Sequence, residues 1–290
     1  MGDIHRHRVL RIVAVALFLI GIAVATVTAL THARAKAAYD EAIRLEQSGD
    51  SYGAYERFQA SGSYADAASR ADALVNADPA LPYRGAHKGD VVVFGAFEQD
   101  GDPSNGSEDI RWIVLDRIDD ELLLLAVDCL ASRPYHAQPF EPITWERSDL
   151  RAWMNTEFLN EAFTPAQRGI IPIVTNENAE QSIAATPAGP ATRDRVFALS
   201  ETETTVYIRD AIDRELIAKA GVSAVGAAGA LRVDDSEKVD WWLRSPGTYE
   251  FTAQFMTAEG DRFTTGANVD AEYGVRPALW ISLDAPERGR

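Results

Sequence analysis

The chain holds a single cysteine, Cys129, so no intrachain disulfide can form. A domain with enough apolar residues to build its own core does not need one. Cys129 follows the apolar run Leu122–Val127 and reads as a small buried hydrophobe rather than a nucleophile. Cations are also scarce: 28 Lys and Arg stand against 44 Asp and Glu, giving a net charge of −16. A surface of that sign repels phosphate backbones, which argues against nucleic acid as a partner, and it keeps an exported domain soluble. Histidine is thin. Beyond the N-terminal segments only His87 and His136 occur, each isolated among loop residues. With no paired His/Glu metal motif and no G-x-S-x-G, the metalloprotease and serine-hydrolase classes lose their signatures. Acidic residues are abundant, so a carboxylate pair for glycoside hydrolysis is the enzymatic alternative.

What is present begins at the N-terminus. Ile12 to Leu30 is an uncharged run of 19 residues, close to the length that crosses a hydrocarbon core of about 30 Å. It has no polar face, unlike a helix half-buried in a soluble core. Arg6, Arg8 and Arg11 precede it, and acidic residues follow from Asp40. By the positive-inside rule, residues 1–11 form a cytoplasmic tail, 12–31 a transmembrane helix, and the remainder lies outside the cytoplasm. The rival is a cleaved signal peptide, with Ala33, Ala35 and Ala37 near the cut; the apolar run exceeds the usual 7–15 residues of such a leader.

Residues 37–78 read as helices. Ala38, Ala42 and Leu45 recur at helical spacing, Gly49-Asp50 breaks the run, and Tyr52, Tyr55 and Phe58 begin another stripe. Ser61-Gly62-Ser63 breaks again before Tyr64, Ala67, Ala68, Ala71 and Leu74, and Asp78-Pro79 stops the helices. The pattern resembles a tetratricopeptide-type hairpin of about one repeat. A lone repeat reads as a spacer before it reads as a peptide-binding module.

The outer region, 85–284, has another texture. Val91–Gly95 forms a strand; Ile110–Leu115 and Leu122–Val127 flank Asp119-Asp120 as an antiparallel hairpin. Thr144–Phe163 turns to helical spacing, with Ser148 or Asp149 as cap and Leu150, Trp153, Met154 and Phe158 as the stripe. Residues 176–195 read as a polar loop, Val196–Ser200 as a strand, Thr204–Ala220 as a helix, and Trp241–Leu283 as short strands with Gly turns. The fold class is α+β.

Several runs resemble a family. They include Gly89-Asp90 with Phe94-Gly95, Trp112–Asp116, Leu150-Arg151-Ala152-Trp153-Met154-Asn155, Trp241-Trp242-Leu243-Arg244-Ser245-Pro246-Gly247, and Gly274-Val275-Arg276-Pro277-Ala278-Leu279-Trp280. Over about residues 85–283 they are similar to a bacterial domain of unknown function common in surface and membrane proteins and often preceded by such a stalk. That family in turn resembles C-type-lectin-like folds, including the formylglycine-generating-enzyme type, which implies short antiparallel strands and helices with long loops. Those enzymes use a cysteine pair that Cys129 alone cannot reproduce.

Three candidate sites follow. The loop Asp100–Gly106 carries oxygen donors, with Asp102 and Asn105 joining Asp100 as calcium ligands; the alternative is ordinary hairpin-turn chemistry. Arg244 and Arg276, set among apolar residues, pair with a carboxylate such as Asp90, Glu146 or Asp149, cap backbone carbonyls, or form an anionic-ligand site. Trp242 alternates with Trp241, so one of the two faces outward and could stack on a sugar. The expected function is a non-enzymatic, membrane-anchored domain outside the cytoplasm that binds a glycan or protein at the cell surface. The alternatives are the carboxylate-pair hydrolase and a structural or signalling partner acting through the stalk.

Overall fold

The computed structural model describes residues 2–99, 102–208 and 239–284, with side chains from residue 17 onward apart from residue 18. The chain divides into two units, residues 1–82 and 83–290.

The first unit is helical. Helix α1 runs without a break from Gly2 to Ser48, about 70 Å at 1.5 Å per residue. Gly49, with φ of 86°, ends it. Asp50 then caps α2 (Ser51–Ser61), its carboxylate accepting from the Gly53 amide at 2.9 Å. Helix α3 (Ala67–Ala77) completes the unit. Ala42, Ala54, Phe58, Ala67 and Ala71 form a small core, with Tyr39, Leu45, Tyr55 and Leu74 packed around it. The stripes read from sequence thus meet one another. The Tyr39 hydroxyl donates to Asp66, which holds that carboxyl below its usual range.

The apolar segment and the first helix of the stalk, expected as separate helices, are one helix. Among the described residues no helix is long and apolar enough to cross a membrane; residues 12–16 and 18 of the expected span lie outside the described side chains.

The second unit is α+β, built on two five-stranded sheets. Strands β1 (Val91–Phe97), β2 (Glu108–Ile118) and β3 (Glu121–Ala126) form an antiparallel meander. The β2–β3 turn is Asp119-Asp120, with Asp119 at φ of 50°, a conformation its short polar side chain tolerates. β4 (Ala131–Pro134) opens the second sheet. Helix α4 (Asp149–Trp153) continues through a π turn, Met154–Phe158, into α5 (Leu159–Ala162), followed by α6 (Pro165–Gly169). The Ser148 hydroxyl accepts from the Arg151 amide and caps α4. The expected polar loop 176–195 is bounded by a small hairpin of β5 (Val174–Asn176) and β6 (Thr192–Asp194). β7 (Val196–Phe197) follows, then α7 (Glu201–Tyr207); the expected continuation of that helix to Ala220 lies outside the described residues. β8 (Trp241–Pro246), β9 (Thr252–Met256), β10 (Arg262–Asn268), β11 (Glu272–Val275) and β12 (Ala278–Ser282) close the fold.

The sheet orders are β1-β2-β3-β12-β7 and β10-β9-β8-β11-β4. β3 and β8 are each central in their sheet and buried on both faces. Trp112, Trp145, Phe158, Phe163 and Phe197 fill the core. Polar tips are satisfied there: the Trp112 indole donates to the Phe94 carbonyl at 2.7 Å, and the Tyr135 hydroxyl to the Arg244 carbonyl at 3.0 Å.

β1 slips register between Val93 and Ala96, and Gly95 in that bulge has φ of 75°. A Cβ there would lie 2.6 Å from both the Ala162 carbonyl oxygen and the Phe163 ring. Gly95→Ala is expected to cost more than about 1 kcal/mol, from backbone strain and this collision together; an unchanged midpoint in urea unfolding would refute it.

Cys129 is fully buried and its thiol is pushed up to about 12 by burial. It should not react with a water-soluble thiol reagent at pH 8 until the domain unfolds. Rapid labelling of the native protein would contradict that packing.

Candidate functional site: an aromatic shelf beside His136

The residues singled out from sequence go elsewhere than the surface. Trp242 has no exposed area; its indole donates to the Arg133 carbonyl at 2.9 Å and its ring lies 4.6 Å from Tyr273. The alternation argument fails because β8 is covered on both sides, so Trp241 and Trp242 are both interior. Arg244, 4% exposed, is forked onto the Glu203 carboxylate and also donates to the Ala198 carbonyl at 2.9 Å. Arg276, 1% exposed, donates to the carbonyls of Ala126 and Val127 at 2.7 Å and lies over the Trp241 ring. Burial pushes its guanidinium down to about 10. None of the three presents a face to a ligand, and the named partners Asp90, Glu146 and Asp149 are replaced by Glu203 and by backbone carbonyls.

In the acidic loop, Asp100 lies outside the described residues. Asp102 accepts from the Ser104 amide and hydroxyl, and the Asn105 amide donates to the Asp102 carbonyl. That is turn chemistry. Among the described residues, no group of three or more His, Cys, Asp or Glu is placed to hold a metal ion.

His136 is not isolated. Its backbone amide donates to the Val269 carbonyl at 2.9 Å, fixing it beside the chain that follows β10. Its Nδ1 lies 2.9 Å from Asp149 Oδ2, and its Nε2 lies 3.7 Å from Glu141 Oε2. Neither nitrogen makes an aligned hydrogen bond. The ring therefore lies between the two acids. Asp149 is oriented by the Ala137 amide at 2.9 Å, so the loop 136–149 closes on itself.

That loop presents Phe140, 65% exposed and with φ of 56°. A bulky residue in the left-handed region is held there against its preference, at a cost of about 1–2 kcal/mol. Its ring meets Phe251 edge-on at 5.4 Å, and Phe251 stacks on Tyr249 at 5.5 Å with 4° between the planes. Tyr249 is 59% exposed. The turns behind are tied by Ile143 N to Glu250 O at 3.0 Å and Val269 N to Phe251 O at 3.1 Å. The result is a shelf of three rings, Phe251 half-buried behind the other two, with the exposed carboxylates Glu141 and Glu250 next to them in the chain. A Pro-flanked aromatic in a polar loop, Pro139-Phe140-Glu141-Pro142, was the sequence signal for it: such a residue has no helix or strand face on which to hide.

Two grooves also carry paired acids. Asp109 and Glu161 line one, Glu180 and Glu201 another. Asp109, Glu161 and Glu180 are exposed, and Glu201 is tied by Ser182 and Gln254.

A family model described as a domain of unknown function, DUF6273, matches residues 119–283, more than half of the chain. The chain belongs to this family. The runs that hold the buried Trp242, Arg244 and Arg276 lie within the matched range. The shelf of Phe140, Tyr249 and Phe251 lies within the matched range but belongs to its surface. No curated protein and no solved structure matches the chain.

Proposed function

We propose that the protein is a membrane-tethered binding module whose DUF6273 domain lies outside the cytoplasm and engages a surface ligand without chemical turnover. The observation that carries the binding reading is the pair of exposed rings, Phe140 and Tyr249, backed by half-buried Phe251. Single exposed apolar residues are ordinary; contiguous aromatic ones rimmed by polar groups mark recognition sites.

The tether draws its support from α1. Leu17, Leu19, Ile20, Ile22, Val24, Val27 and Leu30 are 49–63% exposed and point to all sides of the helix. The hydroxyls of Thr26, Thr28 and Thr31 donate back to carbonyls one turn earlier, which removes their need for water. Together with the uncharged run from Ile12, these features fit a lipid environment. The stretch 33–37, where a leader would be cut, is helical, and a protease needs extended chain. The tetratricopeptide-like hairpin serves as a spacer, and a C-type-lectin-like character of the outer domain belongs to the same proposal.

Full-length protein is expected in the membrane fraction after alkaline carbonate washing, and a chain lacking residues 12–30 in the soluble fraction. A reporter fused after Arg290 should be active only outside the cytoplasm. Carbonate-extractable full-length protein, or a cytoplasmic reporter, would sink the tether.

A further inference from the structure

We infer that the shelf formed by Phe140, Tyr249 and Phe251 takes a neutral pyranose of a glycan, its C–H face on the rings and its hydroxyls donating to Glu141 and Glu250. This rests on the binding reading above and names its ligand class.

The rings give the shape. Tyr249 and Phe251 are within 4° of parallel, and Phe140 stands at 68° to Phe251. Phe251 is half-buried in the stack, so the open faces are those of Tyr249 and Phe140, and flat faces suit a flat, rigid ring better than a chain. The faces of aromatic rings carry negative potential and attract the weakly positive C–H bonds of a sugar. The rings touch one another, so no cage is left for a quaternary ammonium.

The rim gives the polarity. Glu141 and Glu250 are exposed, and ionised carboxylates only accept. An apolar protein anchor laid on the shelf would strip water from these acids and return no donor, which is costly. A sugar brings hydroxyl donors at the edge of the same apolar face. Arg147 donates to the Pro142 carbonyl at 3.1 Å and is the cation of this loop, but Glu141, Glu250, Asp149 and Asp270 outnumber it, and the net negative field disfavours uronic and sialic acids. Glu141 is further positioned by His136 at 3.7 Å.

The backbone gives the means of testing. Phe140 sits at φ of 56°, where Asn is far better tolerated. Phe140→Asn therefore removes the ring while relaxing the chain, and its melting temperature should be unchanged or higher. Tyr249→Trp keeps a ring; Tyr249→Ala does not.

The experiment uses full-length protein in detergent, retained on cellulose, chitin, α-mannan or polygalacturonate, with a glycan array for ranking. Retention is expected on at least one neutral polymer and not on polygalacturonate. Phe140→Asn and Tyr249→Ala should each weaken it at least tenfold, with Tyr249→Trp close to the parent. Preference for polygalacturonate, or retention indifferent to both ring deletions, would overturn the assignment. If no neutral glycan binds, Phe140→p-benzoylphenylalanine is crosslinked in intact cells. Capture of a protein would overturn the glycan class and leave the binding reading standing; no product at all would remove both.

Discussion

Replacing Asp194 with alanine should destabilise the outer domain by about 3–5 kcal/mol, the range for breaking a buried charged pair. The Asp194 carboxylate is wholly buried, yet it receives four donors. Its Oδ2 accepts from Trp145 at 3.1 Å, Asn176 at 3.0 Å and Thr192 at 2.7 Å, and its Oδ1 accepts from Arg151 at 2.6 Å. The alanine variant leaves all four without their acceptor, Arg151 among them with its charge. At about 2–4 °C per kcal/mol for a domain of this size, Tm should fall by about 10 °C. Asp194→Asn can keep its amide oxygen toward the three neutral donors and turn its amide nitrogen toward Arg151, so it should lose roughly half as much. A thermal scan in which Asp194→Ala melts with the parent would refute this role.

Glu203→Ala should cost a similar amount, about 3–5 kcal/mol, for a different reason. Glu203 holds Arg244, whose side chain is only 3% exposed, and it also receives the Ser200 amide at 2.7 Å in the capping box that starts α7. Removing it strands a buried cation and uncaps a helix in one step. The double variant Glu203→Ala, Arg244→Met should regain part of the loss, because no unpaired charge remains, although alanine does not refill the volume of Glu203. The cap, worth about 1 kcal/mol, would not return. Urea midpoints of the two single variants and the double complete the cycle; a double variant as weak as the sum of the singles would show that the two side chains act independently.

Local features were legible before the coordinates. The hairpin around Asp119-Asp120 and the Ser148 cap are set by neighbours within a few residues, and the helical stripes of residues 38–74 by spacing alone. What sequence hides is what lies above and below a strand. Trp241 and Trp242 alternate as any strand does, but β8 is third of five and covered on both faces, and no local pattern carries that fact. Arg244 and Glu203 are separated by 41 positions, and Asp194 and Arg151 by 43; their pairing is a product of topology. The shelf is more remote still, since Phe140 and Tyr249 are 109 positions apart. His136 looked solitary for the same reason.

The division between buried motif and exposed shelf has a consequence for how such domains diversify. Phe140 and Tyr249 stand mostly in solvent, whereas the Asp194 and Arg244 networks lie in the interior. Changes at the rings therefore tax folding little, while changes beneath them are punished at once. A lineage carrying this scaffold is free to swap the contact side chains and acquire a new target, much as interchangeable tips fit one handle.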